Sequence, residues 1–228
     1  MALSDEIKEE QKKVRDMTFS GKIKYIWDYY KIHIIVAIVV IAALSFFIRD
    51  WIRSSRPVYL NAEFMNTVLS YDGDGDITSD FLEYAGVDSE KYNCAIETAL
   101  NLQPGAGDQM TMASQQKILG LFSAGEIDVM AAPLEVMEFY APEGAFADLR
   151  DLMTQEEIDT LEEKGYPIYH ATCEGKTYPA GFYIINSPYL QKISEHGTFI
   201  PESEPVFAFT SCIKNTDAAR KLLEMITQ

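Results

Sequence analysis

One stretch governs what this chain can become. Between Lys31 and Arg49 lie 17 residues, Ile32 to Ile48, with no formal charge unless His33 binds a proton. Most are Ile, Val, Ala, Leu and Phe. As a helix they reach roughly 25 Å, the short end of what crosses a hydrocarbon core. Trp27, Tyr29 and Tyr30 on one flank and Trp51 on the other stand where aromatic belts form, and Lys31 and Arg49 can snorkel. No other stretch is apolar enough to cross, so the sequence predicts a single span over 32–48.

Orientation follows from basic residues beside the span. Lys8, Lys12, Lys13, Arg15, Lys22, Lys24 and Lys31 precede it, whereas Arg49, Arg53 and Arg56 follow it. Seven against three places the N-terminus in the cytosol and the remainder outside the cell. A cleaved signal peptide would need a short basic leader; here the leader is 31 residues long and rich in acids. An uncleaved anchor is expected. Residues 1–31 form a cytosolic juxtamembrane segment, 49–57 a linker and 58–228 an extracytoplasmic domain. Within the first, Thr18 to Tyr30 reads as an amphipathic helix, with Phe19, Ile23, Ile26, Trp27 and Tyr30 at helical spacing. The same residues also suit a simple continuation of the membrane helix.

Charge separates the two parts. Residues 1–56 hold 10 Lys+Arg against 7 Asp+Glu, a net of +3, and residues 57–228 hold 9 against 28, a net of −19. Such a domain repels phosphate backbones, which excludes nucleic acid as a partner. Cys94, Cys173 and Cys212 make an odd count without CxxC spacing, so neither a disulfide framework nor a zinc site is expected. Three independent thiols is the plainer reading, and one bridge in an oxidising compartment is the other.

The domain alternates strand-like and helical segments. Val58 to Phe64 alternates apolar and polar residues, as do Asn93 to Leu102; Val206 to Ile213 is a last strand. Ser79 to Tyr84 reads as a helix stopped by Gly86. A helix holding Met112, Leu119, Leu121 and Phe122 ends at Gly125, and Pro133 opens another after the buried-type strand Ile127 to Ala132. Thr154 and Glu157 form a capping box. Tyr169 to Ile185 reads as two strands around Glu174-Gly175, and Asn215 or Thr216 caps a final helix. The pattern predicts an α/β sandwich with a mainly parallel sheet.

Asp72, Asp74, Asp76, Asp80 and Glu83 fall at positions 1, 3, 5, 9 and 12 of a calcium loop. Position six, however, is the β-branched Ile77 rather than glycine. The plainer alternative is a solvated turn in which Asp76, Thr78 or Ser79 caps the next helix. The loop Gln103 to Asp108 lacks the Lys-Ser or Lys-Thr of a phosphate loop and serves as a connection. G-x-S-x-G and H-E-x-x-H are missing, and His170 and His196 have no nucleophile beside them. Nothing positive supports an enzyme, and no cofactor other than calcium is indicated.

Lys117-Ile-Leu-Gly-Leu-Phe-Ser-Ala-Gly-Glu-Ile-Asp-Val-Met130, followed by Phe139-Tyr-Ala-Pro-Glu-Gly-Ala-Phe-Ala-Asp-Leu149, resembles extracellular solute-binding proteins of ABC importers, the type 2 periplasmic-binding fold. Tyr178 to Tyr183 and Lys214 to Glu224 are similar to its hinge-return and C-terminal helix segments. Two features depart from that family: a domain of about 170 residues falls below its usual size, and the anchor is a helix rather than a lipidated cysteine. Lys24-Tyr-Ile-Trp-Asp-Tyr-Tyr-Lys31 is similar to membrane proteins of low-GC Gram-positive bacteria. The resemblance implies a reduced, membrane-tethered solute-binding-like protein without catalysis, associated with transport. Its ligand would sit outside the carboxyl ends of strands, which carries onto Asn66, Pro133, Phe182 and Tyr183. The domain's charge favours a neutral or cationic solute. The alternative from another class is a cell-envelope interaction or structural protein that keeps the fold without a cleft. Its partner would be another membrane or wall component.

Overall fold

The computed structural model describes residues 18–67, 76–194 and 204–228. Two compact units emerge, up to Ser55 and from Arg56 to Gln228. The first unit contains helix α1, Phe19–Ser54, of 36 residues. It runs unbroken through both the segment before the apolar run and the run itself. Within it Tyr30–Ser54, 25 residues of mean hydropathy 2.6, is long and apolar enough to cross a membrane. Ile41, Phe46 and Trp51 stand exposed along it. Such a surface suits an apolar environment, of the kind that a bilayer or a translocation apparatus would supply. The helix stops where the Ser55 N–H turns back to Trp51 O and Pro57 follows.

The second unit holds one six-stranded sheet: β1 Val58–Met65, β2 Asn93–Leu100, β3 Val129–Pro133, β4 Ile168–Cys173, β5 Lys176–Tyr183 and β6 Pro205–Phe209. Its spatial order is β2-β1-β3-β6-β5-β4. β1 pairs parallel with β2 and β3, while β3–β6, β6–β5 and β5–β4 are antiparallel. The expected mainly parallel sheet is therefore corrected to a mixed one. Among the described residues, helical crossovers between parallel strands run through α2 Ile77–Ala85 and α3 Gln109–Ala124. Beyond β3 the chain returns through α4 Leu134–Tyr140, a 3-10 turn, α5 Leu149–Leu152 and α6 Gln155–Glu163. It then makes the hairpin β4–β5, where Glu174 and Gly175 take φ of 50° and 75°. Two residues at positive φ match the twist of paired strands and force antiparallel pairing. After α7 Pro188–Ser194, β6 runs back between β3 and β5, and α8 Thr216–Ile226 closes the chain.

Both faces of the sheet are covered. On one, Leu60, Ala62 and Phe64 of β1 meet Phe81 of α2, Ile158 of α6 and Leu222 of α8. On the other, Met65 and Met130 meet Ile118 of α3 and Val136 and Met137 of α4. The clean alternation read for β1 breaks after Asn61, since Ala62 to Met65 are all buried. Every member of both clusters lies between Leu60 and Ile226, so this unit carries its own core. The caps follow the sequence reading: Asp76 accepts from Ser79 N, Thr154 and Glu157 close a reciprocal box, and Asn215 accepts from Ala218 N.

Asp128 fastens three stretches of backbone. Asn61 N donates to its Oδ2 at 2.9 Å, and Lys214 N and Asn215 N donate to its Oδ1 at 2.7 and 3.3 Å. The β1–β3 pairing and the β6–α8 turn are thereby held by one buried carboxylate. Gly181 fixes another junction, because a Cβ there would run into the backbone oxygen of Phe207 on the neighbouring strand. Replacing Asp128 with Ala leaves these amides without a charged acceptor. We expect a loss of about 3 kcal/mol or more in urea unfolding of residues 56–228. A change below about 0.5 kcal/mol would show that water replaces the carboxylate at no cost.

Candidate functional site

The three parallel strands end together, at Met65, Leu100 and Pro133. Beyond them opens a cleft of about 650 Å³ whose lining includes Asn66, Thr67, Thr98, Asn101, Pro133 and Glu135. With β1 flanked by β2 on one side and β3 on the other, the chain changes direction here, the place where open α/β sheets form a crevice.

Asn66 follows β1 with φ of 55°, a conformation that asparagine tolerates better than most residues. Its N–H donates to Leu100 O at 2.8 Å, its Nδ2 donates to Leu102 O at 2.7 Å, and its Oδ1 accepts from Leu102 N at 2.7 Å. The amide thus extends the β1–β2 pairing past the last ladder bond and is spent on backbone. Thr67 differs. It is 6% exposed, and its hydroxyl has no hydrogen-bond partner among the described residues. An unpaired buried hydroxyl costs on the order of 1–3 kcal/mol. Among the described residues Glu135 brings the one formally charged side chain to the lining, exposed in the first turn of α4. Hydroxyls, amides and one carboxylate can hold a ligand. Among the described lining residues there is no His, Cys or Lys.

Asn66 and Pro133, named from the sequence, line this cleft together. Phe182 and Tyr183 do not. Phe182 is fully buried in the core on β5, opposite Phe207. Tyr183 is half-buried, its N–H donates to Pro167 O at 2.9 Å, and its ring meets Tyr169 edge-on. Of the calcium candidates, Asp72 and Asp74 lie outside the described residues, as does His196. Asp76 caps α2, Asp80 accepts from the Tyr189 hydroxyl at 2.6 Å, and Glu83 is exposed. Among the described residues no group of three or more His, Cys, Asp or Glu side chains is gathered to hold a metal. All three cysteines are free thiols, and burial pushes the Cys94 thiol up to about 12. Residues the sequence reading missed, Thr67 and Glu135, sit one and two positions from Asn66 and Pro133. Extending the search past each strand end would have found them.

No protein-family model, curated protein or solved structure matches the chain. The likeness to solute-binding proteins therefore rests on the short segments quoted above, and the cleft stands on its own geometry.

Beneath α3, away from the cleft lining, lies a second group of titratable side chains. Glu63 on β1, only 1% exposed, meets Lys117 Nζ at 3.3 Å, and Lys117 also reaches Glu97 on β2 at 3.5 Å. Burial outweighs the lysine's attraction and lifts the Glu63 carboxyl from 4.5 to about 7, with Glu97 adding to the rise. Between those values the folded protein binds this proton and the unfolded chain releases it. Stability contributed by this group therefore falls as pH rises through 4.5 to 7, by on the order of 3 kcal/mol. Glu63→Gln should flatten that decline in pH-dependent unfolding of residues 56–228. An unchanged slope would assign the pH dependence to other groups.

Proposed function

We propose that the chain is a membrane-tethered, non-catalytic solute-binding-like protein, with a cytosolic N-terminus and the domain from Arg56 onward outside the cell. The observation that carries this reading is the cleft at the ends of β1, β2 and β3, whose lining includes Thr67, a residue whose hydroxyl has no partner among the described residues. That hydroxyl oxygen is shut off from solvent, so a ligand would gain its hydrogen bond only as the Thr67 side chain turns toward the cleft. The cleft volume suits a small solute. Glu135 and the domain's net charge of −19 favour a neutral or cationic one over an anion.

A screen of residues 56–228 for thermal shifts against amino acids, sugars, oligopeptides and divalent cations tests it. A true ligand at about one hundred times its Kd stabilises by about 2.7 kcal/mol. Thr67→Val should abolish that gain while the empty protein melts at the same temperature or higher, because the orphan hydroxyl has gone. Silence of the whole screen at millimolar ligand would remove solute binding. Protease shaving of intact cells tests the topology: the domain should be cut before lysis, and protection until lysis would reverse the orientation.

A second reading, an envelope interaction protein without a ligand, is favoured by one observation. The outward side of α3 exposes Met112 and Leu119, beside Phe139 of α4.

A further inference from the structure

α3 is held to the sheet lightly for a helix of 16 residues. It buries Thr111, Ser114 and Ile118, and Leu121 and Phe122 are partly buried near its far end. α8, with 11 residues, buries Ala218, Ala219, Leu222, Leu223, Met225 and Ile226. An element with few buried apolar side chains opens at lower cost than the domain as a whole. α3 also reaches the cleft, because Met110 in its first turn and Gln103 in the loop before it belong to the lining.

Beneath α3 sits a carboxylate with few donors. Glu63 is 1% exposed, and among the described residues its donor is Lys117 Nζ, 3.3 Å from one oxygen and 3.5 Å from the other. Charge-assisted bonds from an ammonium ordinarily run to about 2.7–2.9 Å. This ammonium is shared as well, since Glu97, opposite Glu63 on β2, draws it at 3.5 Å. On β3 the position opposite Glu63 is Met130, which brings no charge. Among the described residues, the charged groups acting on Glu63 are therefore Lys117 from α3 and Glu97 from β2. With Glu63 protonated, one ammonium faces one carboxylate. With Glu63 ionised it faces two, and the surplus charge lies out of reach of water. A buried charge left partly uncompensated favours any motion that lets water in.

We propose that α3 is a proton-latched flap over the cleft: it lies on the sheet while Glu63 holds a proton and lifts when that carboxylate ionises, the rest of the domain staying folded. The lifted helix leaves Glu63 and Lys117 in water and carries Met110 off the cleft rim. Burial sets the closed carboxyl at about 7, and water returns it toward 4.5. The lifted form therefore gains as pH rises between those values, by up to about tenfold per pH unit.

Hydrogen exchange of residues 56–228 at about pH 5 and about pH 7, corrected for the intrinsic rate at each, tests this. It needs no ligand, so its outcome is independent of solute binding. Amides of α3 should exchange faster than those of α8, and their protection should fall by about tenfold or more between the two conditions. Glu63→Gln should keep α3 protection level across the same range. Should that variant not fold, the wild-type comparison of α3 with α8 decides by itself. An α3 that exchanges in step with α8 would overturn the inference, because only global opening would then operate. So would α3 protection indifferent to pH, or a fall that persists in Glu63→Gln.

Discussion

The Asp128 carboxylate is where the domain's long-range connections meet. A single negative charge, taken out of water, is stabilised by amides from β1 and from the turn between β6 and α8. Those stretches are separated by most of the chain. The parallel half of the sheet and the returning antiparallel strand therefore depend on one another. If β6 fails to insert, Asp128 loses two of its donors; if β1 fails to pair, it loses the third. Charge-assisted hydrogen bonds of this kind are among the stronger polar terms available to a small domain. The cleft inherits the arrangement, because its floor is the set of strand ends that Asp128 helps to align.

Local features of the fold were legible in the residues. The capping box at Thr154 and Glu157, the Gly86 stop, the Glu174-Gly175 turn and the Asn215 cap each depend on a few neighbours, so a short window suffices to find them. Strand direction was not legible in the same way. Whether β6 runs with or against β3 is decided by how far the chain travels between them and on which side it returns. Which face of α3 meets the sheet was not legible either: Thr111 and Ser114 turn inward beside Ile118, while Met112 and Leu119 are exposed.

The candidate site shows the same division. Asn66 and Pro133 could be named because strand ends are visible as changes of pattern. Phe182 and Tyr183 could not be placed, since β5 ends level with β3 but two strands away beyond β6, with Phe182 turned into the core and the Tyr183 N–H taken by Pro167 O. What the orphaned Thr67 hydroxyl offers depends on what surrounds it in space, which no local pattern encodes. The same holds for Glu63, a strand residue that reads as solvent-facing until α3 lies over it.

Gly181 carries a consequence for descent. Where β5 meets β6 there is no room for any side chain, so a lineage that keeps this pairing must keep glycine at this position. The same logic protects Asp128, whereas the acidic surface residues can drift as long as solubility is retained. Two chains sharing this architecture could therefore diverge almost everywhere and still agree at a handful of isolated positions. Kinship of that sort is carried by backbone clearance and buried charge, and it would be traced through those few points rather than through overall identity.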